Sequence, residues 1–179
     1  MREQGPTDPT DNPFHRVTDG WETVVEDMHA TAAEYREAGW HVVAVHPGDV
    51  AVLTGEPRTA AEQTGEYEPD APRLGFDVVV PGDEFAAFRD AMADRTVAEC
   101  DVYAATGSGV VYLVVVLEAA DGETAGLVPL YYVQSDREAL AEVAREYGLY
   151  THVRPLQDDA VVTVEHDDPE PFFPERAVE

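Results

Sequence analysis

The eight residues "VVYLVVVL", 110–117, are apolar at every position. A strand with one wet face alternates apolar and polar side chains, because successive residues point to opposite sides of the sheet. This run does not alternate, so both of its faces must be covered. It lies between "TGSG", 106–109, and "ADGETAG", 120–126, which are hairpin-type links. A strand deep inside an antiparallel-rich sheet therefore anchors the fold. Helices can cover one face; the other needs a second layer, a ligand pocket or another subunit.

Working outward, strands are expected near 41–46, 49–54, 74–80, 97–105, 109–118, 126–133, 150–155 and 160–165. Three amphipathic helices fall among them. The first spans Asp19–Ala38, with Trp21, Val24, Val25, Met28, Ala32 and Tyr35 on one stripe, a capping-box pair in Asp19 and Glu22, and Gly39 at its end. The second starts at Asp83 after a "PGD" turn and buries Phe85, Phe88 and Met92. The third opens at Ser135 and Glu138, presents Leu140, Val143, Ala144 and Tyr147, and stops at Gly148.

The order repeats. Residues 75–118 read strand, helix, strand, hairpin turn, strand, and residues 126–165 read the same way. The predicted fold is thus α+β: an antiparallel-rich sheet or pair of sheets, three amphipathic helices on one side, and repeated strand-helix-strand-strand units. Each crossover is expected to be right-handed with its two strands parallel. Pro129 has no N–H to give a ladder, which argues for an edge position or a bulge. This layout is similar to paired strand-helix-strand-strand folds of the effector-binding type in transcription regulators. That resemblance implies a small ligand cradled between modules.

A single domain is expected over 14–166. Residues 1–13 read as a disordered acidic tail and 167–179 as an acidic Pro/Phe C-terminal tail. "GEPRTAAEQTGEYEPDAP", 55–72, reads as a surface loop.

Composition speaks to the solvent. The formal net charge is -26, and all 11 basic residues are arginine. Such a surface repels itself in dilute buffer. In molar salt the Debye length falls to roughly 3 Å and the repulsion is screened. Arginine suits bidentate pairing with carboxylates, whereas the lysine stem adds apolar surface. The composition resembles that of haloarchaeal cytoplasmic proteins, and the whole chain resembles an uncharacterised haloarchaeal family of unknown function. A cytoplasmic location is expected. Nucleic acid is not an expected partner, since no basic patch exists. A membrane is not one either, since "GVVYLVVVLEAA" is short and carries Glu118.

Candidate sites are few. His41 and His46 in "HVVAVHPGDVAVL", 41–53, are an odd number apart and would point to opposite faces of a regular strand, so they cannot share a metal there. His15 lies near the tail, His29 beside the apolar stripe, His152 with Arg154 on one strand face, and His166 before "DDPE". No metal site and no cofactor is expected. Cys100 stands between Glu99 and Asp101, the wrong sign for a reactive thiolate, and reads as a small core filler. Ser108 is a turn serine, with no helix following as a nucleophile elbow requires. No catalytic residue is identified, and an enzyme, metal-dependent or otherwise, is the least favoured reading.

Tyrosines gather in the strands. Tyr103, Tyr112, Tyr131 and Tyr132, with Arg154 as the strand cation, are the candidate ligand-binding residues. Phe172 and Phe173 in "PEPFFPE" are the candidate partner-binding residues, the alternative being a groove on the chain's own body. The leading expectation is a non-enzymatic small-molecule-binding or sensing module of a halophilic cytoplasm. The alternative is a structural or protein-interaction domain acting as a homodimer. A cavity on the order of several hundred cubic ångströms, lined by Tyr112 or Tyr131, would favour the first.

Overall fold

The computed structural model describes residues 13–54, 74–92, 96–156 and 160–174, with side chains from residue 20 onward. The N-terminal segment up to residue 12, the whole of the expected loop at 55–72, the "QDD" turn and the side chain of His15 lie outside the described residues.

Three α-helices and eight strands are present among the described residues: α1 (Pro13–Glu37), β1 (His41–Ala44), β2 (Asp49–Leu53), β3 (Gly75–Val79), α2 (Gly82–Met92), β4 (Val97–Gly107), β5 (Val110–Ala119), β6 (Thr124–Val133), α3 (Arg137–Tyr147), β7 (Leu149–Arg154) and β8 (Val162–His166). Short 3-10 turns cover Gln134–Asp136 and Glu170–Phe172. The class is α+β, as the periodicities require. One sheet has the order β1-β6-β5-β4 and the other β2-β3-β7-β8. Both are mixed: β1 runs parallel to β6 and β3 parallel to β7, and the remaining pairs are antiparallel.

β5 explains its own sequence. Val110, Tyr112, Val114 and Val116 pack under α1 with Val24, Met28 and Ala32. Val111, Leu113, Val115 and Leu117 face the opposite way, into a larger core shared with Phe76, Val78, Leu149 and Val153 of the second sheet and with α2 and α3. The second cover is therefore another sheet. The expectation of three helices on one side is corrected, because α1 lies across the first sheet from α2 and α3. One helical layer covers only one face, and β5 has two apolar faces to bury.

The crossover expectation is corrected too. β3 and β4 flank α2 but belong to different sheets, and so do β6 and β7 around α3. The parallel pairs form between strands remote in sequence, His41 against Thr124 and Phe76 against Thr151. The repeated element order is real, but the pairing does not repeat. β6 meets the second strand of the β4–β5 hairpin antiparallel, while β3 meets the first strand of the β7–β8 hairpin parallel.

Pro129 sits in β6, between β1 and β5, which is neither a simple edge nor a bulge. Gln134 N–H donates to the Gly109 carbonyl, and antiparallel pairs alternate in bonding. Val114–Pro129 is accordingly a pair without mutual hydrogen bonds. The proline nitrogen faces the β1 side, where the ladder has ended with Val45 N–H on Leu127 O. The missing donor costs nothing there.

Gly75 shows why that position is glycine. Its φ is +103°, and a β-carbon would stand 2.1 Å from the Tyr150 carbonyl oxygen. β3 and β7 close together at that point.

Candidate functional site: a groove between α1 and the edge strand β4

β4 is the outer strand of its sheet, eleven residues long and mostly exposed. Its side chains alternate. Cys100 and Val102 turn inward to the main core. Tyr103 pairs with Val114 and Ala105 with Tyr112, so both stand on the α1 side. α1 lies over β5 and does not reach across β4. The result is a groove of about 300 Å³, walled by Val24, Asp27 and Thr31 and by Tyr103, and floored by Tyr112 and Val114.

The helix sets the floor. A β-carbon at Gly20 would lie 2.1 Å from Cζ and Oη of Tyr112, so α1 approaches β5 with the tyrosine ring end against bare backbone. Tyr112 is almost fully buried, whereas Tyr103 is 53% exposed. One ring forms the base and the other a wettable rim.

Along the same face the groove gives way to carboxylates. Glu99, Asp101 and Glu118 each bring an oxygen within 4.8 Å of the others. The Tyr35 hydroxyl donates to Glu118 Oε2. Tyr35 is held well above the usual phenol range, first by burial and then by that bond to an anion. A positive or neutral guest suits this surface; an anion does not.

The five tyrosine and arginine candidates separate. Tyr103 and Tyr112 come together in the groove. Tyr131 shares their sheet face but packs edge-on against Trp21, with ring centroids 5.6 Å apart. Tyr132 points to the main core, where its hydroxyl donates to the Phe172 carbonyl at 2.8 Å. Burial pushes that hydroxyl up to about 12. Arg154 lies in the other sheet and makes a bidentate pair with Asp77, at 2.8 and 3.0 Å. The expectation that Arg154 shares one ligand site with the tyrosines is therefore corrected: they stand in separate sheets.

Phe172 and Phe173 are also corrected as partner-binding residues. Both are buried in the main core, and Phe172 stacks on Phe76 at 6.0 Å. Arg137 donates to the carbonyls of Phe173 and Pro174, clamping the segment down. The chain's own groove takes the aromatics, so the body extends beyond 166 through at least Pro174.

The histidines do not behave as a strand pair. β1 ends at Ala44, and His46 lies beyond it in the link to β2. Its Nε2 is 2.7 Å from Nε2 of His29 on α1, and its Nδ1 is 2.8 Å from Glu84 on α2. Sequence reading set His29 aside because nothing local joins residues 29, 46 and 84; only tertiary packing does. Asp27 and Thr31 escaped for the same reason, since exposed helix residues carry no signal of what lies beside them.

No helix among the described residues is long and apolar enough to cross a membrane. No curated protein and no solved structure matches the chain. A family profile does match, over residues 8–174. The chain accordingly belongs to a family of unknown function, DUF7529.

Proposed function

We propose that this protein is a non-enzymatic module that binds or senses a small molecule in a halophilic, haloarchaeal cytoplasm, with the groove between α1 and β4 as its site. The observation that carries this reading is the groove itself: about 300 Å³, with two tyrosines and two valines in its lining. Sites for small ligands combine an apolar lining with a few polar groups, and the volume falls at the lower end of their range of about 300–1,000 Å³. Asp27 on the wall and the carboxylates beyond it favour an uncharged or cationic guest with a flat or aliphatic body. The charge of -26 and the all-arginine basic set support the brine reading.

Native mass spectrometry of protein from its own host, exchanged rapidly out of high salt, tests the site. A retained small molecule is expected, and it should be lost from Tyr103→Ala and from Ala30→Trp, which fills the groove from the exposed side of the helix. Retention unchanged in both variants would remove the groove from consideration.

The open edge of β4 supports a second reading, a homodimer. Hydrogen-bonding alternation in the β4–β5 ladder turns the backbone groups of Cys100, Val102, Ala104 and Thr106 outward. A two-fold pairing centred on Tyr103 would set Asp101 against Ala105 and Glu99 against Gly107, with no carboxylates opposed. An empty dimer in the same mass spectrum would favour this reading over the first.

A further inference from the structure

Three separate elements bring side chains together on the other flank of α1. His29 comes from α1, His46 from the β1–β2 link, and Glu84 from the first turn of α2. The Glu84 carboxylate accepts from His46 twice, from the backbone N–H at 2.6 Å and from Nδ1 at 2.8 Å. A carboxylate only accepts, so Nδ1 carries the hydrogen, and in the neutral imidazole Nε2 of His46 presents its lone pair. That lone pair meets His29 Nε2 at 2.7 Å. The rings stand side by side, centroids 5.0 Å apart and tilted by 57°.

We propose that His29 and His46 form a two-nitrogen site for a divalent transition metal of the copper or nickel class, oriented by Glu84 and completed by water. Metal-bound histidine typically donates its other ring N–H to a carboxylate, which fixes the tautomer and raises the basicity of the ligand. The His46–Glu84 pair is built that way. Imidazole nitrogens at about 2.0 Å from one ion lie roughly 2.8 Å apart when cis in a square plane and roughly 3.3 Å apart in a tetrahedron. The observed separation matches the square plane. Binding needs the His29 hydrogen shifted to Nδ1 and both rings turned so that their lone pairs aim at the ion, and both imidazoles are exposed enough to do so.

A hydrogen bond between two exposed histidines explains the contact poorly. Water could serve both nitrogens, so the direct bond contributes at most about 1 kcal/mol. An ion replaces one shared hydrogen with two coordinate bonds and ties α1, the β1–β2 link and α2 at one point. Oxygen-preferring cations have abundant carboxylates elsewhere on this chain; imidazole donors suit zinc, iron, copper and nickel, and the square-planar spacing selects copper and nickel among them. This site is independent of the groove, and either can fail without the other.

The test is titration of the full chain with Cu²⁺ alone, in molar salt, followed by electron paramagnetic resonance. One ion per chain is expected, with the nitrogen coupling of two imidazoles. His29→Gln and His46→Gln should each leave one imidazole and weaken binding at least tenfold. Glu84→Gln should keep both nitrogens yet weaken binding roughly 10–100-fold, and His41→Gln should change nothing. Saturating Cu²⁺ should raise the melting temperature of the wild type and leave that of a His29→Gln/His46→Gln chain unmoved. Oxygen-only coordination in the wild type, or two-imidazole coupling that survives His29→Gln, would overturn the site. His29 is exposed, so that variant keeps the core intact and the answer readable.

Discussion

Cys100 and His166 meet between the two sheets, Sγ 3.6 Å from Nδ1, as a pair of neutral groups. β4 supplies the thiol and β8 the imidazole, whose Nε2 is 2.7 Å from Thr151 Oγ1. Burial, with Asp101 adding to it, pushes the thiol up to about 11. Burial, and then the proximity of His152, pushes the imidazole down to about 4. Opposite shifts of this kind keep proton and charge out of the interface, which is the reverse of an activated thiolate–imidazolium couple.

The first prediction is a pH dependence. The unfolded chain protonates this imidazole near its ordinary pKa of 6.5, while the folded chain does so only near 4. Protons thus bind preferentially to the unfolded state in between, and stability falls as pH falls through that window. The full loss is about 3 kcal/mol, of which about 2 kcal/mol falls between about pH 6.5 and 5, above the range of ordinary carboxylates. Above about pH 7.5 His166 makes no pH-dependent contribution. Denaturant unfolding in molar KCl at several pH values measures it, and His166→Asn should flatten the slope.

The second concerns the C-terminal segment. Phe172 has no exposed surface and touches Phe76 and His166. Phe172→Ala should cost about 3–5 kcal/mol in equilibrium unfolding, as much as a mid-core substitution. A change under about 1 kcal/mol would mean that the segment is a removable tail.

A third lies on the outer face of the second sheet. Asp77 and Arg154 are partly buried and joined by two parallel bonds. A double-mutant cycle with Asp77→Ala and Arg154→Ala should return a coupling of about 1 kcal/mol, reduced in molar salt. Arg154→Lys should recover only part of it, because an ammonium cannot span both carboxylate oxygens. Zero coupling at low salt would mean that the pair contributes no stability.

The fourth follows from the charge of -26. Circular dichroism should report cooperative folding in molar KCl and loss of structure on dilution, as screening between carboxylates is withdrawn. An undiminished melting temperature in dilute buffer would contradict the brine reading.

Local patterns carried much of this fold. The 3.6-residue period marks the three helices, and unbroken apolarity in 110–117 requires two covering layers. It cannot say that the second layer is a sheet, because any apolar surface satisfies β5 equally. Strand partition was beyond reach for a related reason: β1 pairs with β6 through contacts that no neighbouring residue announces. Among the candidate site residues, Tyr103 and Tyr112 are joined because hairpin register places 103 beside 114 and 105 beside 112. Arg154 and the tyrosines separate because the path from β6 to β7 changes sheet. The Phe172–Phe173 pair was legible as wanting a groove, but not as having Phe76 and Tyr132 in which to find one.

The chain's repeated passage from one sheet to the other has a kinetic corollary. Neither layer is woven from a continuous segment, and the His41–Thr124 pairing alone closes a loop of roughly 80 residues. The β4–β5–β6 meander can form within one stretch, but neither sheet can be completed from one half of the polypeptide. Refolding should therefore be slow for the chain's size, with a high contact order and one concerted barrier. Fragments cut between β5 and β6 should remain unstructured until mixed.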